Sequence, residues 1–197
     1  EGNIDIYKLG GASGEISRLT SAQGKDHSPA WSPKRDVIGF LTDRNGSNEL
    51  WLMDWNGESK RQLSGPGKTI SSFRWAPNSK VIAVEIAETR SRWIAIIDIE
   101  TSEITPLTST EEDVRIGGWS PDAQWLLYAM VNSDSDGLRK RNPNGVDEIT
   151  ITSGSHTNPV WSPDGRWIAF SQKSDQGALD LIITDNNAEN VLTINAD

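Results

Sequence analysis

WSPKRDVIGF at 31–40, WAPNSKVIAV at 75–84, WSPDAQWLLY at 119–128 and WSPDGRWIAF at 161–170 are one motif written four times. The tryptophans are spaced by 44, 44 and 42 residues. Asp54, Asp98 and Asn142 each follow their tryptophan by 23 residues, and Ser64, Thr108 and Thr152 by 33. Insertions have barely disturbed this period, so the repeat is the structural unit.

Each unit reads as four short strands. The first ends at the tryptophan, as in SPAW and NPVW. A tight turn follows, with proline fixing φ and Asp164-Gly165 as its best copy. The second strand is a short apolar run, VIGFL, VIAVE, WLLYA or WIAFS, which implies burial on both faces. Small residues at Gly39, Ala83 and Ala169 would let a neighbouring sheet approach closely. The third strand is ELWLMD, WIAIID or LDLIITD. Hairpin turns such as Asn56-Gly57 and Asn144-Gly145 then lead to a polar fourth strand. Pro106 in one copy suits an outer edge, where a missing N–H costs little. Four-stranded units at this period predict an all-β chain of β-propeller blades. A helical repeat would show a period of about 3.6 residues, and no segment does.

The W-S-P-D-G turn, the following I-A-F strand and the ending D-x-N-G…R-x-L-T resemble the repeat of TolB-type propellers. The same repeat is similar to those in the propellers of prolyl-oligopeptidase-type and tricorn-type peptidases. The resemblance covers nearly the whole chain. It implies a periplasmic or secreted bacterial scaffold that binds protein.

The expected divisions are a half blade at 1–20, holding two outer strands, and blades at 21–64, 65–108, 109–152 and 153–197. Aligning Thr20 with Ser64 leaves the first two strands of the opening blade without sequence. The chain therefore reads as a segment of a larger ring, closed by further chain or by self-association. A five-bladed ring with one incomplete blade is the alternative.

Composition removes several classes of function. The 197 residues carry a net charge of −9, which opposes binding to the phosphates of nucleic acid. No apolar run approaches the roughly 18 residues of a membrane-spanning helix. There is no cysteine, so disulfide scaffolds, thiolate metal sites and thiol catalysis are excluded. No nucleophile-elbow, Walker, zinc or Rossmann pattern is present, and Gly11-Ala12-Ser13-Gly14 lacks the second spaced glycine of an elbow. The chain is read as non-enzymatic and needing no cofactor.

The remaining candidates concern binding. The aspartates and glycines of the W-S-P-D-G turns recur so regularly that turn chemistry explains them. Trp31, Trp75, Trp119 and Trp161 are expected in the core between blades. Trp55, in a hairpin turn, is the expected exposed aromatic and an interface candidate. His27 and His156 both precede first strands, which line a propeller's channel, but no carboxylate at fixed spacing completes a metal site. Asn132, Asp134 and Asp136 match the opening of a calcium loop, whose later positions are Lys140 and Pro143 and cannot ligate. A solvated hairpin is the preferred reading there. Arg139, Lys140 and Arg141 break the apolar pattern of the third strands, which predicts a rim position with the charges reaching water. His27, Ser71, Arg115 and Thr157, each four residues before its tryptophan, are expected to point to the channel at one face.

Three functions compete. The first is a non-catalytic propeller binding a protein or peptide through one face or the channel mouth. The second is the gating propeller of a larger serine peptidase. The third is a sensor holding a metal or sugar in the channel.

Overall fold

The computed structural model describes residues 3–131, 136–144, 147–154, 156–173 and 177–194. Every regular element among them is a β-strand. β1 (Tyr7–Leu9) and β2 (Ile16–Arg18) make a two-stranded sheet. The first four-stranded sheet comprises β3 (Asp26–Trp31), β4 (Val37–Thr42), β5 (Glu49–Asp54) and β6 (Arg61–Gln62). The second comprises β7 (Thr69–Trp75), β8 (Val81–Ala87), β9 (Arg92–Asp98) and β10 (Ile104–Pro106). The third comprises β11 (Val114–Trp119), β12 (Leu126–Met130), β13 (Gly137–Arg141) and β14 (Glu148–Ser153). The fourth comprises β15 (His156–Trp161), β16 (Trp167–Lys173), β17 (Leu179–Asp185) and β18 (Val191–Ile194). All pairings within the sheets are antiparallel and sequential, which is the blade of a β-propeller.

The core lies in the seams between sheets. Leu41, Leu50 and Leu63 of the first blade pack with Ile70, Phe73 and Trp75 of the second. Ala83, Ile94 and Leu107 meet Val114, Trp119 and Tyr128 of the third. Leu127, Leu138 and Ile151 meet Ile168, Phe170 and Ile182 of the fourth. Ile6 and Leu19 cover Ile38, Phe40 and Met53 on the other side of the first blade. Gly39 shows why small residues serve in second strands: an added Cβ would lie 3.1 Å from Phe73 Cε2 and 3.3 Å from Trp75 Nε1.

Two hydrogen-bond patterns repeat with the blades. The indole N–H of Trp75 donates to the carbonyl of Ala30 at 3.1 Å, and that of Trp119 to the carbonyl of Arg74 at 3.1 Å. In the first two four-stranded blades a hydroxyl just after the outer strand accepts an amide of the third strand: Ser64 from Leu50 (3.0 Å) and Thr108 from Ile94 (3.0 Å). Thr20 accepts from the Ile6 amide at 2.9 Å in the same way. The W-S-P-D-G turns are held by their own side chains. In the turn of the fourth blade, Ser162 Oγ donates to Asp164 (2.7 Å) and accepts the Trp167 amide (2.9 Å).

Two expectations need correction. Trp31, expected in the core, is 53% exposed: among the described residues the sheet on its side is the two-stranded β1–β2 pair, which leaves it uncovered. The basic third strand is not a rim strand with its charges in water. Lys140 is only 3% exposed and donates to the carbonyl of Asn186 across the seam. Its ammonium sits 4.9 Å from the ring centroid of Trp125 and 5.9 Å from that of Trp161. Arg139 and Arg141 are half-buried and share Glu148, at 2.9 Å and 3.5 Å. Pairing and stacking offset the desolvation of these charges.

Candidate functional site

The first strands β3, β7, β11 and β15 are the inner edges of their sheets. Each carries a register shift against its second strand, between His27/Ala30, Ile70/Ser72, Ile116/Gly118 and Thr157/Val160. Ser28 (φ 52°) and Asn158 (φ 53°) adopt the left-handed region at two of these bulges. A bulge re-aims the side chains around it, which makes these edges the most individual part of a regular fold.

Between β7, β11 and β15 lies a cavity of about 500 Å³. Arg74, Glu85, Arg115, His156 and Thr157 line it, with Ile116, Val131, Pro159 and Val160 as its apolar wall. The close approach of the third and fourth blades depends on Gly117, where a Cβ would stand 2.7 Å from Pro159 Cγ. A smaller neighbouring cavity, about 250 Å³, is lined by Ser28, Ser71 and Arg74 among others.

Glu85 is the centre of the site. It is only 5% exposed, yet both its oxygens are used. Oε1 accepts the Ile116 amide across the seam at 2.8 Å, and Oε2 accepts from Ser71 Oγ at 3.2 Å. Burial pushes its carboxyl above the usual range, against the pull of these bonds and of Arg74 and Arg92. Arg115 is anchored through Nη1, which donates to Asp113 (2.6 Å) and to the carbonyl of Val114 (2.9 Å). Arg74 is exposed, and its Nη1 donates to Ser72 Oγ (3.2 Å) and to the carbonyl of Phe73 (2.9 Å).

The other candidates separate. His27 is half-buried, its ring nitrogens 3.0 Å from Ser28 Oγ and 3.3 Å from Asn48 Oδ1. His156 lies one strand position earlier relative to its tryptophan, so it turns to the opposite face. There its Nε2 meets the carbonyl of Ser153 at 2.9 Å and its ring stands edge-on to Phe170. Burial pushes the His156 imidazole below its usual pKa. The two histidines thus form no pair, and no cluster of metal-ligating residues occurs among the described residues. Of the calcium candidates, Asn132 and Asp134 lie outside the described residues. Trp55 is 51% exposed, with Lys8 Nζ 4.1 Å from its ring centroid, on a different surface from the cavity. Arg139 and Arg141 are likewise elsewhere, tied to Glu148.

Sequence reasoning missed Arg74 and Glu85. Glu85 left a signal, as the single charge within the apolar run VIAVEIA of β8. Arg74 left none, since polar residues alternate with apolar ones along the first strands and a charge there breaks no pattern.

Comparison with known proteins agrees with this architecture. A relative described as the uncharacterized peptidase YuxL of Bacillus subtilis is 25% identical over 86% of this chain and 25% of its own length. The Tol-Pal system protein TolB of Francisella tularensis subsp. mediasiatica is 20% identical over 94% of this chain and 45% of its own. The chain therefore spans less than half the length of these curated relatives. The solved structure of a putative TolB from Agrobacterium tumefaciens superposes with a TM-score of 0.74, at 17% identity, over 95% of this chain and 72% of that one. The family model for the TolB beta propeller domain matches residues 1–151, more than half of the chain, and the protein belongs to that family.

Proposed function

We propose that this propeller is a non-catalytic scaffold that binds a protein or peptide partner at the mouth of the cavity between β7, β11 and β15, in a periplasmic or secreted bacterial setting. The observation that carries the reading is the cavity itself: it joins exposed cationic and polar groups to an apolar wall, and its lining comes from three blades. The relationship to TolB supports a binding role and the bacterial setting. Photo-crosslinking residues placed at Thr157 and Ser72 of the protein in bacterial cells test it. Adducts to one partner at these positions, and none at Arg139 or Trp55, are expected. Adducts confined to Arg139 or Trp55 would overturn it.

A second reading has its own support. The relationship to a B. subtilis peptidase four times as long as the matched region favours a propeller that gates a hydrolase domain. In that case a peptide substrate, rather than a stable partner, would pass the same cavity. Hydrolysis of a fluorogenic peptide by the full-length protein separates the two.

A further inference from the structure

We propose that the cavity recognises a peptide carboxylate, held by Arg74 and Arg115, with the neighbouring apolar side chain of the peptide resting on Ile116, Val131, Pro159 and Val160. The inference rests on the channel-mouth reading above and narrows it to one ligand chemistry.

The recorded bonds of both guanidiniums run through Nη1. Among the described residues no hydrogen bond engages Nε or Nη2 of either. Glu85 is the obvious internal partner, but its oxygens are committed to Ile116 and Ser71. Asp113 holds Arg115 at one nitrogen and so orients the rest of its fork. Two cationic groups with donors to spare thus face one cavity in a chain whose net charge is −9. A carboxylate matches a guanidinium fork in geometry and charge, and such bonds are about twice as strong as neutral ones.

The rest of the lining narrows the choice. The apolar wall would be wasted on a small inorganic anion. No aromatic ring other than the buried imidazole of His156 lines the cavity, so it offers no stacking platform for nucleic acid bases. Thr157 and Asn158 are exposed on the β15 side, where they can bond a peptide's amide groups. The carboxylate can come from a chain's C-terminus or from an aspartate or glutamate side chain. Both present the same group to Arg74 and Arg115.

The test is an NMR titration of the 197-residue chain, following the Nε–H signals of Arg74 and Arg115 and the amides of Ile116 and Thr157. Four probes are used: N-acetyl-Ala-Ala-Val-Val as free acid and as amide, and a capped Ala-Val-Glu-Val-Ala with its Gln counterpart. Sodium acetate is the control. At least one carboxylate peptide is expected to shift the cavity signals and bind about tenfold more tightly than its neutral counterpart. The acid that does so identifies the source. The double variant R74Q/R115Q should abolish the difference, and its unperturbed amide spectrum elsewhere would show an intact fold. Neutral and acidic peptides binding the cavity equally would overturn the carboxylate proposal and leave the channel-mouth reading standing. Acetate shifting the signals as strongly as the peptides would also overturn it. No peptide shifting any cavity signal would overturn both.

Discussion

Trp119 of the third blade donates its indole N–H to the carbonyl of Arg74, which stands immediately before Trp75, the tryptophan of the second blade. Trp75 repeats the bond on Ala30, so the first–second and second–third blade seams are each locked by a tryptophan reaching back 45 residues. Trp161 breaks the series, because its Nε1 is buried without a partner.

Replacing these tryptophans by phenylalanine should therefore have unequal effects. W119F strips a hydrogen bond and orphans a carbonyl, at a cost of about 1–3 kcal/mol beyond the lost packing. W161F removes a buried N–H that has no hydrogen-bond partner among the described residues, so its cost should be visibly smaller. Urea denaturation of both variants checks the order, and equal losses would show that the bond contributes little.

Gly117 allows Pro159 to close on β11. G117A would bring its Cβ to 2.7 Å from Pro159 Cγ and 3.0 Å from the Pro159 carbonyl oxygen. Overpacking of this kind costs about 1–3 kcal/mol. A fall in melting temperature, with altered amide signals in β15, is the expected result.

Ala123 sits in the third blade's turn at φ 60°, where the fourth blade has Gly165 at φ 71°. A123G should relieve the left-handed strain and stabilise the protein by roughly 0.5–1 kcal/mol, after the greater unfolded-state freedom of glycine is subtracted. Unchanged or lower stability by thermal unfolding would contradict this.

Glu85 predicts a pH dependence. Its carboxyl titrates higher in the folded state than in the unfolded chain, so the folded state binds more protons between the two values. Stability contributed at this site is therefore greatest in acid. It falls as pH rises from the unfolded value of about 4.3 to the raised folded value. E85Q can keep the acceptor for Ile116 and has no charge to desolvate. The variant should gain on the parent protein across that window, and parallel stability curves would refute the sign.

Asp164 has the opposite sign. The Ser162 hydroxyl, the Arg166 amide and the Arg166 side chain hold its carboxyl down at about 2. The stability it contributes is present above the unfolded value of about 3.9 and is lost as pH falls through about 2. Carboxyl NMR should give a midpoint near that value, and R166A should raise it.

The sequence by itself determined the blades. Trp31, Trp75, Trp119 and Trp161 mark a period that only a chain of equivalent four-stranded units satisfies, and turn chemistry at Asp164-Gly165 sets where the strands reverse. These are local relations within some 44 residues, and short-range sterics and the alternation of apolar positions encode them directly. Tertiary structure decided what lies across the seams. Whether Trp31 is covered depends on a neighbouring sheet, not on its own motif. Lys140 is buried because Trp125, Trp161 and the Asn186 carbonyl happen to surround it. Glu85 reads in the sequence as one odd charge in a strand, and becomes the centre of a cavity only when the Ile116 amide of another blade reaches it. The site is made of contacts between residues some 30 to 45 positions apart, brought together by the packing of whole blades, and no spacing rule along the chain records which side chains will meet there.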